Sequence, residues 1–230
     1  MLNRRPGLKV IDLGCGTGEL TRRLADALPE SDVLGLDQSP EMLARAQTQL
    51  RPGLRFERGD LAALEGTWDL IFSNAALQWS EDHQKLIPHL FSCLNPGGQM
   101  LVQVPSNHGG PAHLIIREVA GRGPFSSALN GWTRKSPVLN LEEYAGMLYR
   151  QGAIEIKVLA KIYPHLLANA DAIIEWISGT ALVPYFERLP DSLHEAFTEA
   201  IRQELHMVYS HEPVFYPFKR TLFSVIRPAA

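Results

Sequence analysis

The sequence is short of cysteine, of long apolar runs and of charge blocks. Cys15 and Cys93 are the only cysteines in 230 residues. Two cannot build a disulfide framework and suit a reducing compartment, so a cytoplasmic protein is expected. Charge, proline or glycine interrupts every apolar stretch well before the roughly 18 residues of a spanning helix, so no membrane partner is expected. The start, Met1 to Gly7, carries two arginines but leads into a strand pattern rather than an apolar core with a cleavage site, and does not read as a secretion signal. Lys+Arg 22 against Asp+Glu 25 gives a net charge of −3. With no run of one sign, nucleic acid is not an expected partner. The eight histidines lack H-E-x-x-H spacing and lie apart from the cysteines, so no metal is expected.

What is present is an alternation of short apolar runs with helical stripes, the sign of a parallel sheet with crossover helices. Strands read at Leu8–Leu13, Val33–Asp37, Leu54–Glu57, Trp68–Ser73 and Gln99–Val104. A helical stripe at Leu20, Leu24, Ala27 and Leu28 stops at Pro29. A second helix has Ser39 as N-cap, Pro40 at the first position, Glu41 at the positive end, and Met42, Leu43, Ala46 and Leu50 as its buried stripe. Glu81–Leu94 is helical, ended by the turn Asn95-Pro-Gly-Gly98. Beyond Pro105, glycine-rich loops separate helical segments. Further strands are expected at Ile154–Tyr163 and Arg220–Ile226, with helices around Asp171–Ser178 and Leu193–Val208. The fold class is α/β: a Rossmann-like, doubly wound, mostly parallel seven-stranded sheet with an antiparallel last strand and a helical substrate cap. A single domain over 1–230 is expected, with residues 8–104 as cofactor-binding half and 105–230 as cap half. The segment between the last two strands forms the cap.

Ligands of such sheets bind outside the carboxyl ends of the strands. Gly14, Gly16 and Gly18 form a tight turn there, letting a ligand approach backbone N–H groups; the plain alternative is a strand-to-helix connection. Asp37, at the end of the second strand, stands where an acid accepts hydrogen bonds from ribose hydroxyls, or else caps the helix beginning beside Ser39. Asp60 follows the third strand; alone it reads as a solvated turn carboxylate. The run is Gly-x-Gly-x-Gly with Glu19 directly after it, not the G-x-G-x-x-G that seats a pyrophosphate. A carboxylate at that helix end disfavours an anion and favours a ligand without phosphates, such as S-adenosylmethionine.

Val10-Ile-Asp-Leu-Gly-Cys-Gly-Thr-Gly18 resembles the first motif of class I S-adenosylmethionine-dependent methyltransferases. Asp37, Gly59-Asp60-Leu61, Asp69-Leu-Ile-Phe-Ser73 and Leu94-Asn-Pro-Gly-Gly98 match the later motifs in order and spacing. The resemblance implies that Gly14 and Gly16 pass the amino-acid part of S-adenosylmethionine, that Asp37 binds its ribose and that Asp60 with Leu61 frames its adenine, with Cys15, Gly18, Gln38 and Asn74 as further cofactor-binding candidates. Further strings, Asn74-Ala-Ala-Leu-Gln-Trp79, Gln103-Val-Pro105, Gly123-Pro-Phe125, Tyr163-Pro-His165 and Glu175-Trp-Ile-Ser-Gly-Thr-Ala-Leu-Val-Pro-Tyr185, are similar to the trans-aconitate 2-methyltransferase family. That similarity implies a monomethyl ester of a small polycarboxylate as product; a carboxylate acceptor is already ionised at neutral pH, so no catalytic residue is expected beyond those that position the acceptor.

The cap must then supply cations and donors, and the candidates are Arg134, Lys135, Tyr163, His165, Thr180, Tyr185 and Arg220, with Trp79 walling the acceptor side. Surface solvation or core packing is the ordinary alternative for each. Related enzymes usually carry an arginine before the Pro-Tyr pair, where Val183 stands here. They also have helical sequence before the first strand, so either the true start lies upstream of Met1 or the site is uncovered. Cys15, beside a helix N-terminus, is expected to pack rather than react, since no base accompanies it. The rival readings are a methyltransferase for another small molecule or a carrier-bound acid, and a non-catalytic S-adenosylmethionine-binding subunit. A monomer or weak homodimer is expected.

Overall fold

The structure is a computed structural model and describes residues 2–229. In chain order its elements are β1 (Lys9–Leu13), α1 (Glu19–Ala27), β2 (Asp32–Asp37), α2 (Pro40–Ala46), β3 (Leu54–Arg58), β4 (Trp68–Asn74), α3 (His83–Ser92), β5 (Leu94–Pro105), α4 (Pro111–Ala120), α5 (Phe125–Ala128), α6 (Leu141–Arg150), β6 (Ile154–Leu167), α7 (Ala170–Ser178), α8 (Val183–Phe186), α9 (Asp191–Val208) and β7 (Val214–Ile226). The sheet order is β3-β2-β1-β4-β5-β7-β6. Strands β1 to β5 pair in parallel, and β7 runs antiparallel to β5, with Gln103 opposite Leu222 and Pro105 opposite Arg220.

The chain forms two compact units. The first comprises the chain up to Pro105, Pro137–Lys161 and the chain from Arg220 onward. Its central strands are buried on both faces, which is why they read as near-continuous Val, Ile and Leu. One core contains Ile11, Leu13, Ile71, Ile87, Leu90, Tyr144, Leu148 and Phe223, where α3 and α6 contribute. The other contains Val10, Leu24, Ala25, Val33, Leu43 and Ala46, where α1 and α2 contribute. Two cores with separate helices are what a doubly wound sheet produces.

Helix signals explain most boundaries. The Ser39 hydroxyl accepts the Met42 N–H at 3.2 Å, with Pro40 opening α2. Asn140 and Glu143 form a reciprocal capping box on α6, at 2.8 and 2.9 Å. The expected stripe of α2 needs correction: Leu43 and Ala46 are buried, but Met42 lies off that face and is exposed, and Leu50 is exposed because the helix ends at Ala46 and a 3-10 turn, Gln47–Gln49, redirects the chain. Leu20 of α1 is likewise exposed, and Thr21 and Ala25 take the buried face. β5 starts at Leu94, not Gln99; its register shifts opposite Trp68 and Leu70, accommodating the Asn-Pro-Gly-Gly turn as an irregularity within the strand.

The second unit comprises Ser106–Ser136 and Ile162–Lys219. Its core gathers Ile116, Val119, Phe125, Ile173, Leu182, Tyr185, Phe197, Ile201 and Tyr216. It therefore draws on the segment after β5 as well as on the segment between the last two strands. No helix among the described residues is long and apolar enough to cross a membrane.

Candidate active site

The first site feature grows from the end of β1. The chain leaves Leu13 through Gly14, Gly16 and Gly18, all at positive φ (73°, 55° and 78°). The N–H groups of Gly14 and Cys15 donate to the Leu36 carbonyl at 2.8 and 3.0 Å, pinning the turn to β2. The three glycines have different reasons. A Cβ on Gly14 would lie 2.1 Å from Ala76 Cβ, and one on Gly18 would lie 2.7 Å from Phe56 and 3.0 Å from Ala46. Those two allow close packing. A Cβ on Gly16 meets nothing within 4 Å, so this residue fronts open space.

That space is a cavity of about 350 Å³, lined by Asp12, Gly14–Thr17, Glu19, Asn74 and Ala75 among others. Its volume is in the range of small-molecule sites. Asp37 braces the same turn from β2. Its Oδ2 accepts the Gly16 N–H and its Oδ1 the Ser39 N–H, both at 2.9 Å. Asp37 is thus a loop brace and a neighbour of the α2 cap at once, while Ser39 itself caps the helix. The Gly59 N–H donates to the Asp37 carbonyl at 3.0 Å, which ties the Asp60 loop to the end of β2. Asp60 is exposed and caps the 3-10 turn Leu61–Ala63 by accepting the Ala62 N–H at 2.9 Å. Leu61 is half-buried; Gln38 is exposed, and its carbonyl accepts Arg58 Nε at 3.2 Å. Gly14, Cys15, Gly16 and Asn74 therefore share one cavity wall, and Asp37, Gln38, Asp60 and Leu61 lie along the adjoining strand ends without lining it. Gly18 serves packing and the turn into α1.

The sequence reading missed Asp12. It is 2% exposed, accepts the Thr21 hydroxyl at 2.6 Å, and lines the cavity. Burial, with the nearby Asp37 charge, pushes its pKa up to about 7 against the opposing Thr21 bond. The available signal was a carboxylate inside the apolar run Val10-Ile-Asp-Leu13, since unpaired acids are rarely buried. Cys15 is buried, and burial together with Asp12 and Asp37 pushes its thiol up, which leaves it an unreactive packing residue.

Asp12 and Glu19 on the cavity lining and Asp37 behind the glycine turn suit a ligand that carries positive charge and hydroxyls, and Arg23, also on the lining, suits a carboxylate on the same ligand. S-adenosylmethionine, with its sulfonium, ammonium and ribose, fits that donor set.

Trp79 follows β4 in a 3-10 turn and is 51% exposed, so it is not a core residue. Four residues on, buried His83 contacts the Leu77 carbonyl through Nε2 at 2.8 Å and the Tyr144 hydroxyl through Nδ1 at 2.5 Å. Arg220 donates to the Gln103 side chain across the β5–β7 pair. Within the second unit, the buried Tyr185 hydroxyl accepts the Arg134 N–H at 3.2 Å, Trp132 packs edge-on against Tyr185 at 5.2 Å, and the Arg188 guanidinium sits 4.2 Å over Trp132. Half-buried His165 packs on Trp176 at 4.7 Å, and Tyr163 packs on the core of this unit. Lys135 is exposed. Thr180 is exposed, and its hydroxyl returns to the Trp176 carbonyl at 3.2 Å, the behaviour of a helix-end residue. No cluster of three or more His, Cys, Asp or Glu able to hold a metal occurs among the described residues.

The sheet order, the glycine turn and the acids at the ends of β2 and β3 define the class I S-adenosylmethionine-dependent methyltransferases. The methyltransferase domain family matches residues 10–98. An S-adenosylmethionine-dependent methyltransferase from Mesorhizobium loti superposes with a TM-score of 0.53 at 22% identity, covering 98% of this chain and 94% of that one, a likeness of fold. The trans-aconitate 2-methyltransferase of Deinococcus radiodurans is 45% identical over 99% of this chain and 90% of its own length. That of Variovorax paradoxus is 39% identical over 93% of this chain and 82% of its own. The chain belongs to the trans-aconitate 2-methyltransferase family.

Proposed function

We propose that the chain esterifies one carboxylate of trans-aconitate, or of a closely similar small polycarboxylic acid, with the methyl group of S-adenosylmethionine. One observation carries this reading: the 45% identity to the Deinococcus enzyme runs through 99% of the chain and not just the cofactor segment. The match therefore extends over the part beyond residue 105, which would select the acceptor, as well as over the glycine turn. When bound, S-adenosylmethionine supplies a methyl group on a good leaving group. The rest falls to this chain. Gly14, Cys15, Gly16 and Asn74 would hold the amino-acid end, Asp37 and Gln38 the ribose, and Asp60 with Leu61 the adenine.

A carboxylate acceptor is already ionised at neutral pH, so no general base is needed. The gain comes from holding an acceptor oxygen in line with the methyl carbon, worth up to about 7–11 kcal/mol in well-oriented systems. Trp79 would wall that oxygen's approach; Arg134, Lys135, Tyr163, His165, Tyr185 and Arg220 would supply donors to the acid. Thr180, committed to the end of α7, has the weakest claim. Residues 8–104 act in this reading as the cofactor half of one methyltransferase domain and 105–230 as its substrate half. A cytoplasmic monomer or weak homodimer, as the two buried cysteines suit, completes it. Methyl transfer from S-adenosylmethionine to a panel of mono-, di- and tricarboxylic acids tests it, with turnover fastest on the tricarboxylate. Turnover confined to uncharged or amine acceptors overturns it.

A further inference from the structure

The second unit holds a cluster of basic side chains that the methyl-donor cavity does not use. Its chain begins at Ser106 and turns at Asn107–Gly110, closed by the Gly110 N–H on the Asn107 carbonyl at 2.7 Å. It then enters α4 through Gly110 and Pro111 with no side-chain cap. His113 and Arg117 stand four residues apart on α4 and share a face. The charges of Arg117 and Arg134 both act on the His113 imidazole and on the Tyr185 hydroxyl, and those of Arg117 and Lys219 act on His108. The turn, α4, the segment carrying Arg134, and β7 thus bring five basic groups together.

No carboxylate is among the groups acting on either imidazole. The carboxylate that acts on Arg134, Glu187, pairs with Arg188 at 3.7 Å. Burial and this like-charge company push His113 down to about 4, so near neutral pH it is an uncharged hydrogen-bonding ring. Two further polar atoms are buried here without a partner among the described residues: Ser106 Oγ and Asn107 Nδ2, on residues 8% and 9% exposed. The Asn107 amide is fixed, because its Oδ1 accepts the Lys219 N–H at 2.6 Å. Like charges held together beside unpaired buried polar atoms cost stability unless an anion with several acceptor oxygens meets them. Val183, at the head of α8, supplies no cation of its own.

We infer that His113 and Arg117 of α4, with His108, Arg134, Lys219 and the Ser106 and Asn107 side chains, bind the carboxylates of the acceptor acid that are not methylated. They thereby set the preference for a tricarboxylate over a dicarboxylate. This rests on the esterification reading above, and the test separates the two. Calorimetric titration with trans-aconitate and steady-state turnover are measured on the wild type, Arg117→Gln, Arg117→Lys and His113→Gln. Expected are a loss of about 10- to 100-fold in tricarboxylate affinity and a matching rise in KM for Arg117→Gln, with kcat and S-adenosylmethionine affinity unchanged. Arg117→Lys should keep most of the binding, and the tricarboxylate preference over a dicarboxylate should collapse in Arg117→Gln. Wild-type turnover with both neutral-side-chain variants binding the acid normally overturns this inference and leaves esterification standing. Binding without turnover in the wild type, lost in Arg117→Gln, keeps the anion site and removes esterification. A wild type that neither binds nor methylates polycarboxylates removes both.

Discussion

Asp37 is the residue on which the proposed donor site turns, and its replacement has a calculable effect. Its two oxygens each accept one backbone N–H at 2.9 Å, Gly16 on one and Ser39 on the other. Asparagine has a single acceptor, so one of those N–H groups would face an amide donor. A hydrogen bond to a charged group is worth about 1.5–3 kcal/mol, or roughly 10- to 100-fold in an equilibrium. Asp37→Asn should weaken S-adenosylmethionine binding by about that factor, and Asp37→Ala by more, since the ribose would lose its charged acceptor as well. Loosening the turn should also lower the melting temperature by about 2–4 °C per kcal/mol for a chain of this size. Isothermal titration with S-adenosylmethionine and S-adenosylhomocysteine, beside a thermal melt, reads both. A lower melting temperature with cofactor affinity within twofold of wild type refutes the ribose assignment and leaves Asp37 a loop brace only.

Three other outcomes are expected. Gly18→Ala, whose Cβ would lie 2.7 Å from Phe56, should lower the melting temperature more than Gly16→Ala, whose Cβ meets nothing, while Gly16→Ala should cost more cofactor affinity; the reverse order in either assay contradicts the division of labour among the glycines. Asp12, with its pKa raised to about 7, holds its proton more tightly folded than unfolded, so stability falls as pH rises from about 4 to 7, by up to about 1.4 kcal/mol per unit. Asp12→Asn should flatten that slope in thermal melts, and an unchanged slope would reject the burial of an acid there. Tyr144→Phe removes the hydroxyl that contacts His83 and accepts the Leu139 N–H at 3.4 Å; a loss of about 1–3 kcal/mol in denaturant unfolding is expected, and a neutral result contradicts it.

How much the sequence disclosed depends on whether the cause was local. The α2 start was legible because Ser39 and Pro40 act within one turn. Its buried stripe was not, because the chain leaves the helix at Ala46 and carries Leu50 into solvent. The glycine turn and Asp37 announced themselves by spacing, yet only coordinates distinguish Gly16, open to the cavity, from Gly14 and Gly18, which make room for Ala76 and Phe56. β7 was read from Arg220, although it begins at Val214; the earlier residues lie in the second unit, where Val214, Tyr216 and Phe218 join a different core. Nothing local in the sequence singles out His113 and Arg117, because Arg134 and Lys219, whose charges help define their setting, lie distant in sequence. That is long-range information, and no local pattern carries it.

The most direct measurement incubates the purified chain with S-adenosylmethionine and trans-aconitate and resolves the products by mass spectrometry. A monomethyl ester, formed together with S-adenosylhomocysteine in equal amount, is the result this account predicts. Tight S-adenosylmethionine binding with no methylated acid of any carboxylate count would contradict it.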